Sequence, residues 1–148
     1  GVCSRNLELL ETEGNTFWKV ARELDLENKL KDKGNICLQG ELIGEGIQGN
    51  PYKIKGQTVH FFNGFDIDTQ TRMGINDFLV LLEELELVSV PILDVAFLLP
   101  DTVEGMLKLA EDKSRLNNLT EREGIVVRSL DNTISFKAIS NKFLLSEK

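Results

Sequence analysis

Residues 38–67, LQGELIGEGIQGNPYKIKGQTVHFFNGFDI, set a carboxylate, a glycine-rich turn and an aromatic pair in a fixed order. Each type suits a different task at a small-molecule site. The Glu41 carboxylate can accept a hydrogen bond from a sugar hydroxyl, glycines let backbone approach a ligand closely, and an aromatic face such as Phe65 can stack on a base. Two later runs, Glu123-Gly-Ile-Val-Val-Arg128 and residues 135–143 (SFKAISNKF), add a second carboxylate and the ammonium groups of Lys137 and Lys142. A second carboxylate and two lysines on strand-like runs together look like a phosphate site. The whole order reads as a nucleotide pocket.

These residues need strands and turns to hold them. Residues 36–43 and 58–67 read as strands around residues 44–56, whose glycines and Pro51 disfavour a helix. Residues 2–10 read as another strand. Asn15 or Thr16 can cap a helix running to residue 30, with Phe17, Val20, Ala21, Leu24 and Leu26 as its apolar stripe. A second helix fits residues 75–87, with Asn76 or Asp77 near its start, and residues 91–99 read as a buried strand. Thr102 can cap a third helix to residue 112, with Val103, Met106, Leu107 and Ala110 facing inward. A terminal hairpin pairs residues 124–130 with 133–139 through a turn at Asp131-Asn132. The expected class is α+β, with largely antiparallel sheets flanked by helices.

In this order the blocks resemble the covalent nucleotidyltransferase superfamily of ATP-dependent RNA and DNA ligases and mRNA capping enzymes, most closely its RNA ligases. Ser4-Arg5-Asn6 is similar to the arginine-bearing segment after the nucleophile (motif Ia). Gly40-Glu41-Leu42 through Gln48-Gly49-Asn50 is similar to motif III, and Phe61-Phe62-Asn63-Gly64-Phe65-Asp66-Ile67 to motif IIIa. Glu123-Gly124-Ile125-Val126 matches motif IV, and Phe136-Lys137 matches motif V. The resemblance implies that residues 1–148 form part of a nucleotidyltransferase (adenylation) domain of ATP-grasp-like fold, N-terminally truncated. It also implies ATP and Mg2+ as cofactors and RNA ends as substrate, sealed through lysyl-AMP and AMP-capped RNA.

By the same resemblance Glu41 contacts the ribose, Phe65 stacks on adenine and Glu123 is linked to the metal. Lys137 contacts the α-phosphate, with Lys142 nearby, and Arg5 and Asp66 meet phosphate or RNA. Each has a plainer alternative. Glu41 can be a solvent-facing strand residue, Phe65 a core residue, Glu123 a charged loop residue, Lys137 a surface lysine and Asp66 a loop cap.

Two departures from the family pattern matter. The lysine of motif I, in a Lys-x-Asp/His/Asn-Gly setting, precedes the arginine segment in the family, and here Arg5 is already the fifth residue. Lys31-Asp32-Lys33-Gly34 has the wrong third residue and the wrong place, and reads as a solvated loop. The chain as given is therefore expected to be a piece of a longer enzyme that does not adenylylate itself. In motif V, Ile139 stands where many ligases carry a second lysine, which puts a direct role for Lys142 in question. The alternatives are a non-catalytic nucleotide- or RNA-binding relative, a capping-type guanylyltransferase, or a DNA ligase fragment.

Composition bounds the rest. At 148 residues, with 41% hydrophobic and 28% charged residues, the chain suits one soluble globular domain without a membrane span. Cys3 and Cys37 lack metal-cluster spacing and are expected to be buried small hydrophobes in a reduced, cytoplasmic chain. A net charge of −7 excludes a uniformly basic nucleic-acid surface. The ligase reading then requires acidic residues such as Glu83, Glu84, Glu86, Glu104, Glu111 and Asp112 on outer helices, with Arg5, Lys53, Lys55, Arg128, Lys137 and Lys142 converging on a cleft. The lone histidine, His60, is expected to be structural. No P-loop pattern is present. Open sheet edges would favour pairing with another copy.

Overall fold

The computed structural model describes residues 1–146. The chain forms two compact units, one of Gly1–Ile47 with Ile54–Val90, the other of Gln48–Lys53 with the chain from Pro91 onward. No described helix is long and apolar enough to cross a membrane.

The first unit opens with a correction. Residues 2–10 form no strand but a tight turn on themselves, with Ser4 N–H donating to Leu7 O at 2.8 Å and Leu9 N–H to Val2 O at 2.9 Å. The Ser4 hydroxyl accepts from Leu7 N–H at 3.2 Å, so backbone donors are satisfied locally instead of by a sheet. Asn15 caps helix α1 (Thr16–Glu23), its carboxamide oxygen accepting from Phe17 and Trp18 N–H. One long helix was expected, and two short ones form. Asp25 adopts a left-handed φ of 52°, which stops α1 before α2 (Leu26–Leu30) begins.

Strands β1 (Ile36–Gly44), β2 (Gln57–Asp66) and β3 (Thr71–Arg72) make an antiparallel sheet in that order. Both long strands match the sequence reading to within a residue. Helix α3 (Ile75–Glu84) buries Phe78 and Leu82. Together with Phe61, Leu85 and Leu87 they form the core, joined by half-buried Leu24, Leu26, Leu30, Leu38, Val59 and Met73. The backbone of Phe61 is also tied to the segment after α3, donating to Val88 O and accepting from Val90 N–H, both at 2.8 Å.

In the second unit, residues 91–99 form no strand. Pro91 lacks a donor, and Leu93, Val95, Leu98 and Leu99 are exposed instead of buried. Thr102 caps α4 (Val103–Ala110), accepting from Gly105 N–H. Met106 and Ala110 turn inward onto Ile125 and Ala138, whereas Val103, expected to face inward, is 78% exposed. The Arg122 guanidinium holds the far end of α4, donating from Nε to Ala110 O at 2.9 Å and from Nη2 to Leu109 O. A cation bonded to the last carbonyls of a helix is favourable twice, through hydrogen bonds and through the helix dipole.

Strands β4 (Gly124–Arg128) and β5 (Ser135–Ile139) pair as the expected hairpin. Buried Ser140 ends it and begins α5 (Asn141–Ser146), its hydroxyl accepting from Phe143 N–H at 3.2 Å.

The hairpin loop centres on Asp131, whose carboxylate accepts from the Ser129 and Thr133 hydroxyls at 2.5 and 2.7 Å and from Thr133 N–H at 3.1 Å. Those bonds, the Ser129 hydroxyl first, hold its carboxyl at about 2, below the ordinary 3.8. A folded-state value below the unfolded one favours the loop while the carboxylate is ionised. The contribution is complete above pH ~4 and is lost as pH falls through about 2. Carboxyl 13C titration should give that low value in the unsubstituted chain. It should return toward 3.8 in Ser129→Ala/Thr133→Val.

Candidate functional site

The ladder between β1 and β2 is interrupted once. Gln39 faces Asn63 but Gly40 faces Phe61, leaving Phe62 as an extra residue in a bulge. In a regular strand Phe61, Asn63 and Phe65 would share a face. Here the bulge reverses the alternation. Phe61 stays in the core, and a Cβ built on Gly64 would sit 2.6 Å from Met73 Sδ and 3.2 Å from Phe78 Cδ2, so Gly64 also faces the core. Leu38, opposite Gly64, packs there too.

The other face therefore carries three cross-strand rows, Cys37 with Phe65, Gln39 with Asn63 and Glu41 with His60. Paired side chains at such positions lie within reach of one another, with Cβ atoms about 4.5–5.5 Å apart. Asn63 is 3% exposed and donates from Nδ2 to Gln39 Oε1 at 2.7 Å, which fixes the middle row. Phe65 is half-buried and Glu41 exposed. Glu41 lies on the face away from the core, the position of a solvent-facing strand residue. Burial pushes the His60 imidazole below its ordinary value and so favours the neutral form.

The remaining first-unit candidates stand apart from these rows. Asp66 lies on the opposite side of the strand from Phe65, and its Oδ1 accepts from Thr69 N–H at 2.8 Å. Bonding to Thr69, backbone first, holds this carboxyl below the usual range. In this structure Asp66 caps the turn into β3. Arg5 is exposed in the N-terminal turn. Lys31-Asp32-Lys33-Gly34 is an exposed turn, as expected, with Lys33 paired to Glu84 at 2.9 Å. Cys3 and Cys37 are exposed free thiols, not buried hydrophobes. Partial desolvation, with Cys3 adding to it, raises the Cys37 thiol.

In the second unit Glu123 immediately precedes β4, and Lys137 lies opposite Val126 on β5. Their side chains form an ion pair, each a little over two-fifths exposed. The Ser140 N–H donates to Glu123 O at 2.8 Å, tying the end of β5 to the residue that carries the carboxylate. Sequence reasoning missed Ser140, although a serine between a strand and a helix-like run is an N-cap signal. Ile139 projects on the same face as Lys137 by alternation. Lys142 is off the strand, on α5, 3.4 Å from a Glu111 oxygen. Among the described residues no group of three or more His, Cys, Asp or Glu is arranged around a metal position. Glu123 is an oxygen donor beside the Lys137 ammonium group.

Of the acidic residues expected on outer helices, Glu83, Glu84 and Glu104 are exposed on α3 and α4, Glu86 and Asp112 are exposed beyond the ends of those helices, and Glu111, at the C-terminal cap of α4, is half-buried. Another pair of bonds missed by sequence reasoning lies in the second unit. Asn117 Nδ2 and the Thr120 hydroxyl donate to Pro51 O at 3.0 and 2.9 Å, anchoring residues 48–53. Gln48, Asn50 and Lys53 there have positive φ of 45°, 49° and 53°. Polar anchoring holds a backbone that β-branched residues would resist.

A protein-family model described as RNA ligase matches residues 1–143. Among solved structures, a Naegleria gruberi RNA ligase variant with AMP and manganese matches with a TM-score of 0.93 and 41% identity, over 99% of this chain and 45% of that one. A variant of the same ligase with ATP and manganese gives 0.93 and 41% over the same shares, 99% and 45%. An apo variant gives 0.93 and 41%, over 99% and 44%. No curated protein sequence matches. The chain spans less than half the length of the solved structures it matches.

Proposed function

This chain belongs to the RNA ligase family, and from that premise we propose that it forms the nucleotide-holding part of an ATP-dependent RNA ligase. The observation that carries the reading is the outer face of β1 and β2, where one bulge aligns Glu41 and Phe65 on the side away from the core. An aromatic face for adenine and a carboxylate for a ribose hydroxyl then lie on one rigid sheet. Lys137 is the donor to the α-phosphate, where charge builds as the phosphoryl centre is attacked.

A half-exposed carboxylate beside a cation suits magnesium, which is commonly bound through one or two carboxylates with water and phosphate oxygens completing its shell. Glu123 would hold that ion, which when bound offsets the phosphate charge. Phosphate entering this site takes over Lys137 and frees the Glu123 oxygens. Arg5 and Asp66 are assigned to the RNA side of the reaction, and Lys142 to the periphery of the phosphate site.

The complete ligase would join a 5′-phosphate to a 3′-hydroxyl in three steps. A lysine takes AMP from ATP, AMP passes to the 5′-phosphate, and the 3′-hydroxyl attacks with loss of AMP. We place this work in RNA repair in a reducing cytoplasm, with residues 1–148 part of one adenylation domain. Self-association would use the outer strands of the sheets, β1 and β3 in one and β4 and β5 in the other among the described residues. Ile139 beside Lys137 favours a second reading, a relative that binds nucleotide without transferring it.

ATP labelled at the α-phosphate tests the assignment. The chain should retain label without a covalent adduct, and Lys137→Ala should weaken retention about tenfold or more, the worth of a charge-assisted hydrogen bond. Covalent labelling of the chain, or retention indifferent to Lys137→Ala, would contradict it.

A further inference from the structure

We propose that His60 is a further ribose-recognition residue, donating from Nε2–H to one hydroxyl of the ribose diol while Glu41 accepts from the other. The inference rests on the nucleotide reading above and goes beyond it in naming a residue and a discrimination. His60 stands directly across the ladder from Glu41, on the face that also carries Phe65. Of its two ring nitrogens, Nδ1 is enclosed without a hydrogen-bond partner. An enclosed N–H with nothing to accept it is disfavoured, so the proton belongs on Nε2, at the end of the ring not enclosed.

Burial also keeps the ring uncharged, so that His60 offers one donor and no competing ion pair to Glu41. A vicinal diol needs that combination, because each hydroxyl both donates and accepts. A carboxylate can only accept, and a neutral imidazole with its proton outward can only donate there.

His60 is the chain's one histidine, so histidine-selective 15N labelling gives a single imidazole to follow. With the full chain and magnesium, ATP should shift the Nε2 resonance with the ring staying neutral. Either 2′-deoxy-ATP or 3′-deoxy-ATP, whichever lacks the hydroxyl that His60 meets, should leave it unmoved. His60→Leu should weaken ATP about five- to tenfold, barely affect that same analogue, and be largely rescued by His60→Gln, whose amide N–H reaches a similar place.

Glu41→Ala and Phe65→Ala run beside these variants separate the two layers. If ATP binds and both matter, but the imidazole does not respond and His60→Leu binds normally, this inference falls and the pocket stands. If the unsubstituted chain binds no nucleotide, both fall. The resonance measurement needs no variant, so a misfolded His60→Leu leaves the question decidable.

Discussion

Phe61→Ala should lower the unfolding free energy of the first unit by about 3–5 kcal/mol, whereas Phe65→Ala should change it by less than about 1.5 kcal/mol. The two phenylalanines are four residues apart on one strand, and composition cannot tell them apart. Phe61 is 3% exposed among Phe78, Leu82, Leu85 and Leu87. Its truncation leaves a cavity that the close-packed helix cannot fill. Phe65 is half-buried on the other face, outside the cluster that forms the core. On the proposed function the costs reverse for binding. Phe65→Ala should weaken ATP by the worth of one base stack, roughly 1–3 kcal/mol, or about 5- to 150-fold. Urea unfolding followed by nucleotide titration of each variant checks both halves. Equal stability losses would mean that the bulge does not turn Phe65 away from the core.

Gly124→Ala should be the most damaging single methyl in the second unit. A Cβ there would fall 2.1 Å from the Ala138 carbonyl oxygen and 2.9 Å from Ile139 Cα, both backbone atoms of the paired strand. No side chain can swing aside to relieve this. The strands must part, at an expected cost of about 3 kcal/mol or more. Parting them also disturbs Glu123 and Lys137, because the Ser140-to-Glu123 hydrogen bond closes the same end of the hairpin. The expected result is a lower thermal midpoint together with weaker retention of ATP. Unchanged stability would show that β4 and β5 do not approach as closely as described. The glycine after the motif IV glutamate is thus explained by strand contact, with no positive φ required of it.

Local chemistry carried much of this into the sequence. Asn15 and Thr102 were legible as caps because their side chains satisfy backbone donors wherever a helix starts. β1, β2 and the terminal hairpin were legible from alternation and from turn residues. What stayed hidden depends on neighbours. The left-handed turn at Asp25 splits a continuous apolar stripe that, by periodicity alone, suits one helix. The apolar run of residues 91–99 looks like a buried strand, yet Pro91 and exposed side chains leave it irregular.

The candidate site divides in the same way. Glu41, Phe65, Glu123 and Lys137 could be chosen from residue order. The face that unites Glu41 with Phe65 could not, because a bulge at Phe62 breaks the alternation from which a face would be read. His60 has no partner at a telling spacing in sequence, since its partner in register, Glu41, is nineteen residues away across the ladder.

The most direct measurement is calorimetric titration of ATP, GTP and AMP into the chain with magnesium, beside Glu41→Ala. The outer face of β1 and β2 as a nucleotide wall predicts saturable ATP binding, stronger than GTP because the base is read as adenine, and weakened at least several-fold by Glu41→Ala. Preference for GTP would move the chain toward the capping enzymes. No binding, or ATP binding unchanged in Glu41→Ala, would contradict the assignment of that face.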